Sequence, residues 1–471
     1  VDHPLDRPLA DIAVALRCGD ISASELVEEA ISRHRSRDAL LRAYKLFDAE
    51  GARTMARSAD VRFASDQEAP PLCGIPFSAK DLYGAEGLPT FAGTRRPLPP
   101  PWSRDAWLVA RLRDQGAVLT GKTHTVEMAY GGVGLNPNWE TPRNPWDAGV
   151  HRIPGGSSSG AGVSLAEGSA VVALGTDTGG SIRIPASMTG AVGHKTTKGR
   201  WPTEGVVPLS HTLDTVGALT RSVEDAVWFF GSVDPGAGNP AELVRRLARR
   251  AEEGVRVAVP EGGVWGACQP DIEAVLRAAL EELAAAWWPI HATAGALLDD
   301  AYDLYMTGGI SGVESLSFLK EQLPGWLELL HPIVGKRIAA AAARTPEEYR
   351  AALAERERLM ASAGSLFADA DVLALPTHLV TPPPVEGLAD LGRYSKVNAI
   401  TLRPTVPVSM LGLCAVTLPV GRDASGMPVG LQLVAPAGED ELVLAAALAA
   451  EGVLGKAIAR LGVPERVIDR S

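Results

Sequence analysis

HRIPGGSSSGAGVSLAEGSAVVALGTDTGGSIRIPA, residues 151–186, sets Ser157, Ser158 and Ser159 between two glycine groups and repeats Gly-Gly-Ser at residues 179–181. A flexible Gly/Ser linker is flanked by polar residues. Here the serines run straight into the small-residue segment SGAGVSLAEGSA and then the apolar run AVVALGTD. The stretch therefore reads as a Gly-rich turn, a helix and a buried strand, the elements of an α/β layer. Small residues let backbones approach closely, and the first amides of a helix offer unpaired N–H donors. A plain helix cap is the unreactive alternative for Ser157.

Three chemistries compete for this stretch. A phosphate loop needs G-x-x-x-x-G-K-[ST], and no lysine follows here. Gly156 to Gly160 matches G-x-S-x-G with Ser158 central, for which His378 or His331 would be the base. That elbow requires a strand immediately before it, and TPRNPWDAGVHRIPG is loop. At DTGGS, residues 177–181, consecutive glycines let several N–H groups turn toward one point, which suits an oxyanion hole with Ser181 at its centre. Asp177 and Arg183 are spaced to pair across that turn. A serine still needs a base; neither motif holds a histidine, and Ser-Lys arrangements are a known alternative to Ser-His-Asp.

Outward from this stretch, helices and strands alternate. Ser22 and Glu25 fit a capping box opening a helix through about His34, and a second helical pattern covers roughly Asp48 to Ser65. GIPFSAKDLYG carries a short strand signal, and RDAWLVARLRDQGAVLTGK reads as helix, stop at Gly116, strand. VRVAVPE, DVLALPT, CAVTLPVG and PVGLQLVAP read as further strands, the last two split by a turn at Ala424 to Met427, with a helix from about Glu439. Between about Pro270 and Ala368 the pattern is mostly helical, with Trp287 and Trp288 at a helix end, where packing is as good a reading as contact with an aromatic substrate. The fold class is α/β with a mixed sheet. Residues 1–471 form one domain, with 235–368 a helical lobe on its core.

Composition bounds the function. The 471 residues are 46% hydrophobic, enough for a large core, and the net charge of -11 argues against a general nucleic-acid binder. Cys18, Cys73, Cys268 and Cys414 show no C-x-x-C spacing, and the nine histidines form no H-x-x-x-H pair, so no local metal motif is present. VDHPLDRPLA lacks the pattern of a signal peptide, and no run of about 20 apolar residues points to a membrane span, so a cytoplasmic protein is expected.

GGSSSGAGVSLAEGSAVVALGTDTGGSIRIPASMTGAVGHKTTKGR resembles the signature of the amidase signature family of Ser-Ser-Lys hydrolases. GIPFSAKDLYGAEGLPT resembles the family's lysine segment, and RLRDQGAVLTGKTHTVEMAYGG, GVVPLSHTLDTVGALTRSVEDA and GMPVGLQLVAPAGED share its character. The resemblance covers most of the chain and is weakest from about Val233 to Ala368. It implies a mixed twisted sheet covered by helices on both faces, and a variable lobe that shapes the substrate cleft. It implies Lys80 as base, Ser157 as bridging serine and Ser181 as nucleophile. The oxyanion hole would be the amides of Thr178, Gly179, Gly180 and Ser181, with Asp177 and Arg183 as structural support. Gly156–Ser157 becomes a candidate non-proline cis peptide. The departures are Ser159, where relatives carry glycine, and Thr196, where proline is common.

What the resemblance implies is hydrolysis of a carboxylic amide through an acyl-enzyme, with neutral Lys80 taking a proton through Ser157 from Ser181. A solvated surface role is the ordinary alternative for a lysine; Lys122 in LTGKTH is the rival base, read as structural or loop-exposed. Met128, Tyr130, Gly131 and Gly132 resemble the segment lining the acyl side of the cleft, joined by Ser158 as a helix-start or cleft residue. Tyr302, Tyr305 and Met306 are read as core in preference to pocket. No cofactor and no metal are implied; the partner is a small-molecule amide, with no nucleic acid and no membrane, and a homodimer stays open. The glutaminase component of a tRNA-dependent amidotransferase and a non-enzymatic binding scaffold are the competing functions.

Overall fold

The quoted stretch folds as its composition dictates. Gly160 opens a helix at Ala161–Glu167, Gly168 closes it at φ 77°, and the apolar run becomes a strand buried along its whole length. The computed structural model describes residues 3–65, 68–147, 149–252, 254–286 and 288–464. Trp287 lies outside the described residues; Trp288 is buried.

Among the described residues eleven strands form one mixed sheet. In chain order they are β1 (Tyr44–Phe47), β2 (Pro76–Lys80), β3 (Val118–Thr123), β4 (Val172–Asp177), β5 (Val192–Lys195) and β6 (Thr215–Thr220), then β7 (Val257–Glu261), β8 (Ile290–Ala294), β9 (Val372–Pro376), β10 (Cys414–Arg422) and β11 (Pro428–Ala435). Their order across the sheet is β1-β3-β2-β4-β6-β5-β10-β11-β9-β7-β8. β3, β2 and β4 run parallel, as do β9, β7 and β8; the pairs between these groups are antiparallel.

Strands covered on both faces read as near-continuous apolar runs, and β2 and β4 are buried at every residue. Side chains still alternate between faces. Val172 and Leu174 join the large cluster with Phe77 and Val118, while Ala173 meets Ala161, Leu165 and Ile182 on the opposite side. Parallel β2 and β4, paired Ala79 to Leu174, end at the same edge of the sheet. That edge receives Lys80 from one strand and the DTGGS turn from the other, the place where an open α/β sheet binds ligands.

Two expectations change. Segment 235–368, read as a helical lobe with one strand at VRVAVPE, carries a second strand, and β7 and β8 together form one edge of the sheet. β8, IHATA, was unreadable because it is short and only partly buried, so it carries no apolar run. Beyond it the segment is helical, at Ala296–Gly308, Ile310–Gln322, Pro332–Ala339 and Pro346–Ser362. The helix Ala23–Leu41 has its capping box at Ser22 and Glu25 but runs past His34. Among the described residues no helix is long and apolar enough to cross a membrane.

Candidate active site

Lys80 ends β2 and is fully buried. Its Nζ donates to Ser157 Oγ at 2.7 Å and to Thr176 Oγ1 at 2.8 Å. Loss of water around the amine drives its pKa down, the carboxylates of Asp214 and Asp177 pull the other way, and the balance rests at about 7. Lys122, on neighbouring β3, is also buried, which corrects the loop-exposed alternative. Its Nζ sits 3.1 Å from Asp81 Oδ1 and donates to Thr90 Oγ1 at 2.9 Å. Lys122 thus has a carboxylate partner at contact distance, whereas Lys80 has hydroxyls.

The Gly156–Ser157 peptide is cis. The Ser157 carbonyl accepts from the Val126 amide at 3.0 Å and from Thr125 Oγ1 at 3.1 Å, which holds the turn against the VEMAYGG segment. Helix Ala161–Glu167 receives no side-chain cap, so Ser157 is not its cap. Ser158 is fully buried, and both its amide (3.3 Å) and its hydroxyl (2.5 Å) donate to the Ser181 carbonyl. It joins the two motifs and does not line the cavity, a correction to its placement as a cleft residue. The Ser159 hydroxyl is buried without a partner among the described residues. His378 pairs with Ser187 Oγ at 2.7 Å, and His331 caps its own helix through the Ile333 amide, so neither serves Ser158.

The DTGGS turn is built around a buried ion pair. Arg183 donates to Asp177 Oδ2 through Nε and to Oδ1 through Nη2, each at 3.0 Å. Burial pushes the Asp177 carboxyl up, but Arg183 and the surrounding donors outweigh it and hold it at about 2. Arg183 also donates to Gln432 Oε1, Thr405 O and Ser409 Oγ, so every side of the guanidinium is engaged. Asp177 Oδ1 accepts the Gly180 amide at 2.7 Å. This removes Gly180 from the expected oxyanion donors and leaves Thr178, Gly179 and Ser181. Thr178 Oγ1 donates to Asp214 at 2.5 Å, and the Leu209 and Ser210 amides donate to the same side chain.

Thr176 and Asp214 were missed by sequence reasoning. Thr176 had one signal, a polar residue inside an apolar strand run. Asp214 lies in a loop without periodicity and had none.

Ser181 opens onto a cavity of about 300 Å³, with Thr178 and Gly179 beside it. Tyr130 and Gly131 form one wall, Tyr305 and Met306 another, and Arg337, Arg344 and Asn398 bring polar side chains to it. Tyr305 and Met306 are therefore pocket residues, against the expectation of core. Tyr302 is core, with its hydroxyl donating to Ala399 O. Met128 and Gly132 do not line the cavity. Met128 packs among Leu82, Ala92 and Leu316, and the Gly132 amide donates to Asn398 Oδ1 at 2.8 Å. Met128 and Ala129 hold φ of 51° and 56°, a left-handed pair that non-glycine residues adopt under constraint from their surroundings.

A larger hollow of about 560 Å³, beside the helix Ala457–Leu461, holds none of Lys80, Ser157 or Ser181. Ligand atoms of His34, Asp38 and Glu167 lie within 4.8 Å of one another, a grouping that no local spacing announces. Glu167 there accepts from Ser169 Oγ at 2.5 Å and meets His34 Nδ1 at 3.2 Å, so hydrogen bonds within the cluster account for it. Among the described residues no hydrogen bond joins the Ser157 and Ser181 hydroxyls directly.

The amidase family model matches residues 25–444. The chain is 43% identical to 2-amino-5-chloromuconic acid deaminase from Comamonas testosteroni over 458 residues, covering 97% of this chain and 98% of that protein. It is 32% identical to a glutamyl-tRNA(Gln) amidotransferase component from Roseiflexus castenholzii, covering 93% of this chain and 94% of that one. Among solved structures, an amidase superposes with a TM-score of 0.83 at 34% identity, over 95% of this chain and 100% of the other.

Proposed function

The chain belongs to the amidase family, whose enzymes carry the amidase signature, and hydrolyses a carboxylic amide C–N bond; we propose that it does so through an acyl-enzyme on Ser181. The observation that carries this reading is Lys80, fully buried, bonded to Ser157 and with a pKa of about 7. A lysine near neutrality supplies a base at working pH without a histidine. Substrate binding brings the Ser181 hydroxyl within reach of Ser157, since such bonds tighten only in the loaded site.

The neutral amine then accepts the Ser157 proton while Ser157 takes that of Ser181. The Ser181 oxygen bonds to the amide carbon, and the amides of Thr178, Gly179 and Ser181 hold the oxyanion. The relay returns the proton to the leaving nitrogen, the C–N bond breaks, and water, deprotonated by the same relay, frees the carboxylate. Segment 235–368 shapes the cleft in this reading through Tyr305, Met306 and Arg337.

Ammonia release from Ser181→Ala and Lys80→Ala tests it. Both lose turnover while the far-ultraviolet circular dichroism stays native. Ser157→Ala retains more than Ser181→Ala, because water partly replaces a relay. Near-normal turnover by Ser181→Ala sinks the mechanism. The amidotransferase-glutaminase alternative rests on the 32% identity above, and glutaminase activity raised by a copurifying partner would favour it.

A further inference from the structure

The chain carries a net charge of -11, yet no Asp or Glu lines the cavity at Ser181 among the described residues. Its charged side chains are Arg337 and Arg344. Arg337 projects from helix Pro332–Ala339 and is half-buried. One of its donors meets the Tyr130 carbonyl at 2.9 Å, and its guanidinium lies 4.8 Å from the Tyr130 ring and 5.3 Å from the Tyr394 ring. Stacking fixes a planar fork that still has donors to spare.

Arg33 and Arg200, which are also half-buried, and the fully buried Arg183 each have a carboxylate partner. Arg337 has none among the described residues. Arg344 is exposed at the rim and is tethered to the Thr307 carbonyl. Asn398, whose Oδ1 is taken by the Gly132 amide, brings an NH₂ donor to the same wall.

We propose that this cavity is built for an amide whose acyl part ends in a free carboxylate, gripped by Arg337 with Arg344 at the mouth. The proposal rests on Ser181 being the acylated residue. A positioned guanidinium without a counter-ion is the usual partner of a carboxylate, and a bound anion would complete its desolvated charge. A cavity of about 300 Å³ suits a short chain, such as the monoamide of a four- to six-carbon dicarboxylic acid. With no acid at the wall, an α-ammonium finds no partner, so glutaramate fits better than glutamine.

The probes are glutaramate, pentanamide and glutamine, scored by ammonia release. The expected order of kcat/KM is glutaramate first, by about tenfold or more over both others. Arg337→Gln lowers the glutaramate-to-pentanamide ratio by about ten- to a hundredfold, chiefly through KM, and Arg337→Lys restores part of it. A wild-type preference for pentanamide, glutamine as good as glutaramate, or a ratio untouched by Arg337→Gln overturns the proposal. So does a loss that strikes both amides equally, which marks a structural role.

Protection of Ser181 from a fluorophosphonate by glutarate, present in wild type and lost in Arg337→Gln, reads the same subsite without turnover, and absent protection counts against it. Retained turnover in Ser181→Ala instead refutes the acyl-enzyme reading, while the ratio still reports on Arg337.

Discussion

The pH dependence of turnover follows from Lys80 and can be worked out from its surroundings. Its pKa of about 7 comes from burial, opposed by Asp214 and Asp177. The reaction needs the neutral amine, so kcat/KM rises with pH. About a tenth of the sites are neutral at pH 6 and about nine tenths at pH 8, a rise of about tenfold. Thr176→Val perturbs this without touching the proposed nucleophile. It removes the hydroxyl that accepts from Nζ at 2.8 Å and leaves a side chain of the same shape.

A hydrogen bond to an ammonium is stronger than one to a neutral amine by about 1 kcal/mol. Losing it disfavours the charged form and lowers the pKa by about 0.7 of a unit. The rising limb of the profile therefore moves toward acid, to a midpoint a little above pH 6. The assay is ammonia release at subsaturating substrate from pH 5 to 9, with reversibility checked by return to pH 7.5. A wild-type limb centred above pH 9, or a Thr176→Val limb that stays in place or moves toward alkali, refutes Lys80 as the base.

Other perturbations have equally definite outcomes. Arg183→Met strands the buried Asp177 carboxylate and lowers stability by about 3–5 kcal/mol, read as a shift in the urea midpoint. Asp177, held at about 2 when folded, binds protons more readily unfolded, so its contribution is complete above about pH 4 and is lost as pH falls through 2. In the wild type urea titrations should show that loss, and in Arg183→Met they should show less of it. Ser158→Ala removes the hydroxyl donated to the Ser181 carbonyl, lowers stability by about 1 kcal/mol and keeps more than about a tenth of turnover. Complete inactivation there would return Ser158 to the chemistry. Gly180→Ala puts a Cβ into the Thr405 hydroxyl at a φ of 130°, which strains the turn by about 1–3 kcal/mol and lowers kcat more than it raises KM.

Local chemistry was legible in the order of residues. The capping box at Ser22, the Gly116 stop, the apolar runs of β4, β10 and β11, and the three motifs bearing Lys80, Ser157 and Ser181 each depend on neighbours within a few positions. β5, VGHK, and β6, TVGALT, contain glycine and polar residues and lack a strand signature; pairing between β4 and β10 makes them strands. Helix Ala23–Leu41 outruns its reading because Leu41, at its end, is buried against Tyr44 and Val163.

The sequence by itself determined the family resemblance, the α/β class and the candidate residues, because short-range pattern and turn chemistry are written within motifs. Only the tertiary structure decided what those residues face. It placed Thr176 under Lys80 and fastened Ser158 to the Ser181 carbonyl. It also gave the Gly180 amide to Asp177 and set Arg337, 156 residues from Ser181 along the chain, on the wall of the same cavity. Hydrogen-bond direction, desolvation and charge pairing depend on distance in space, and for residues on different elements that distance is fixed by packing.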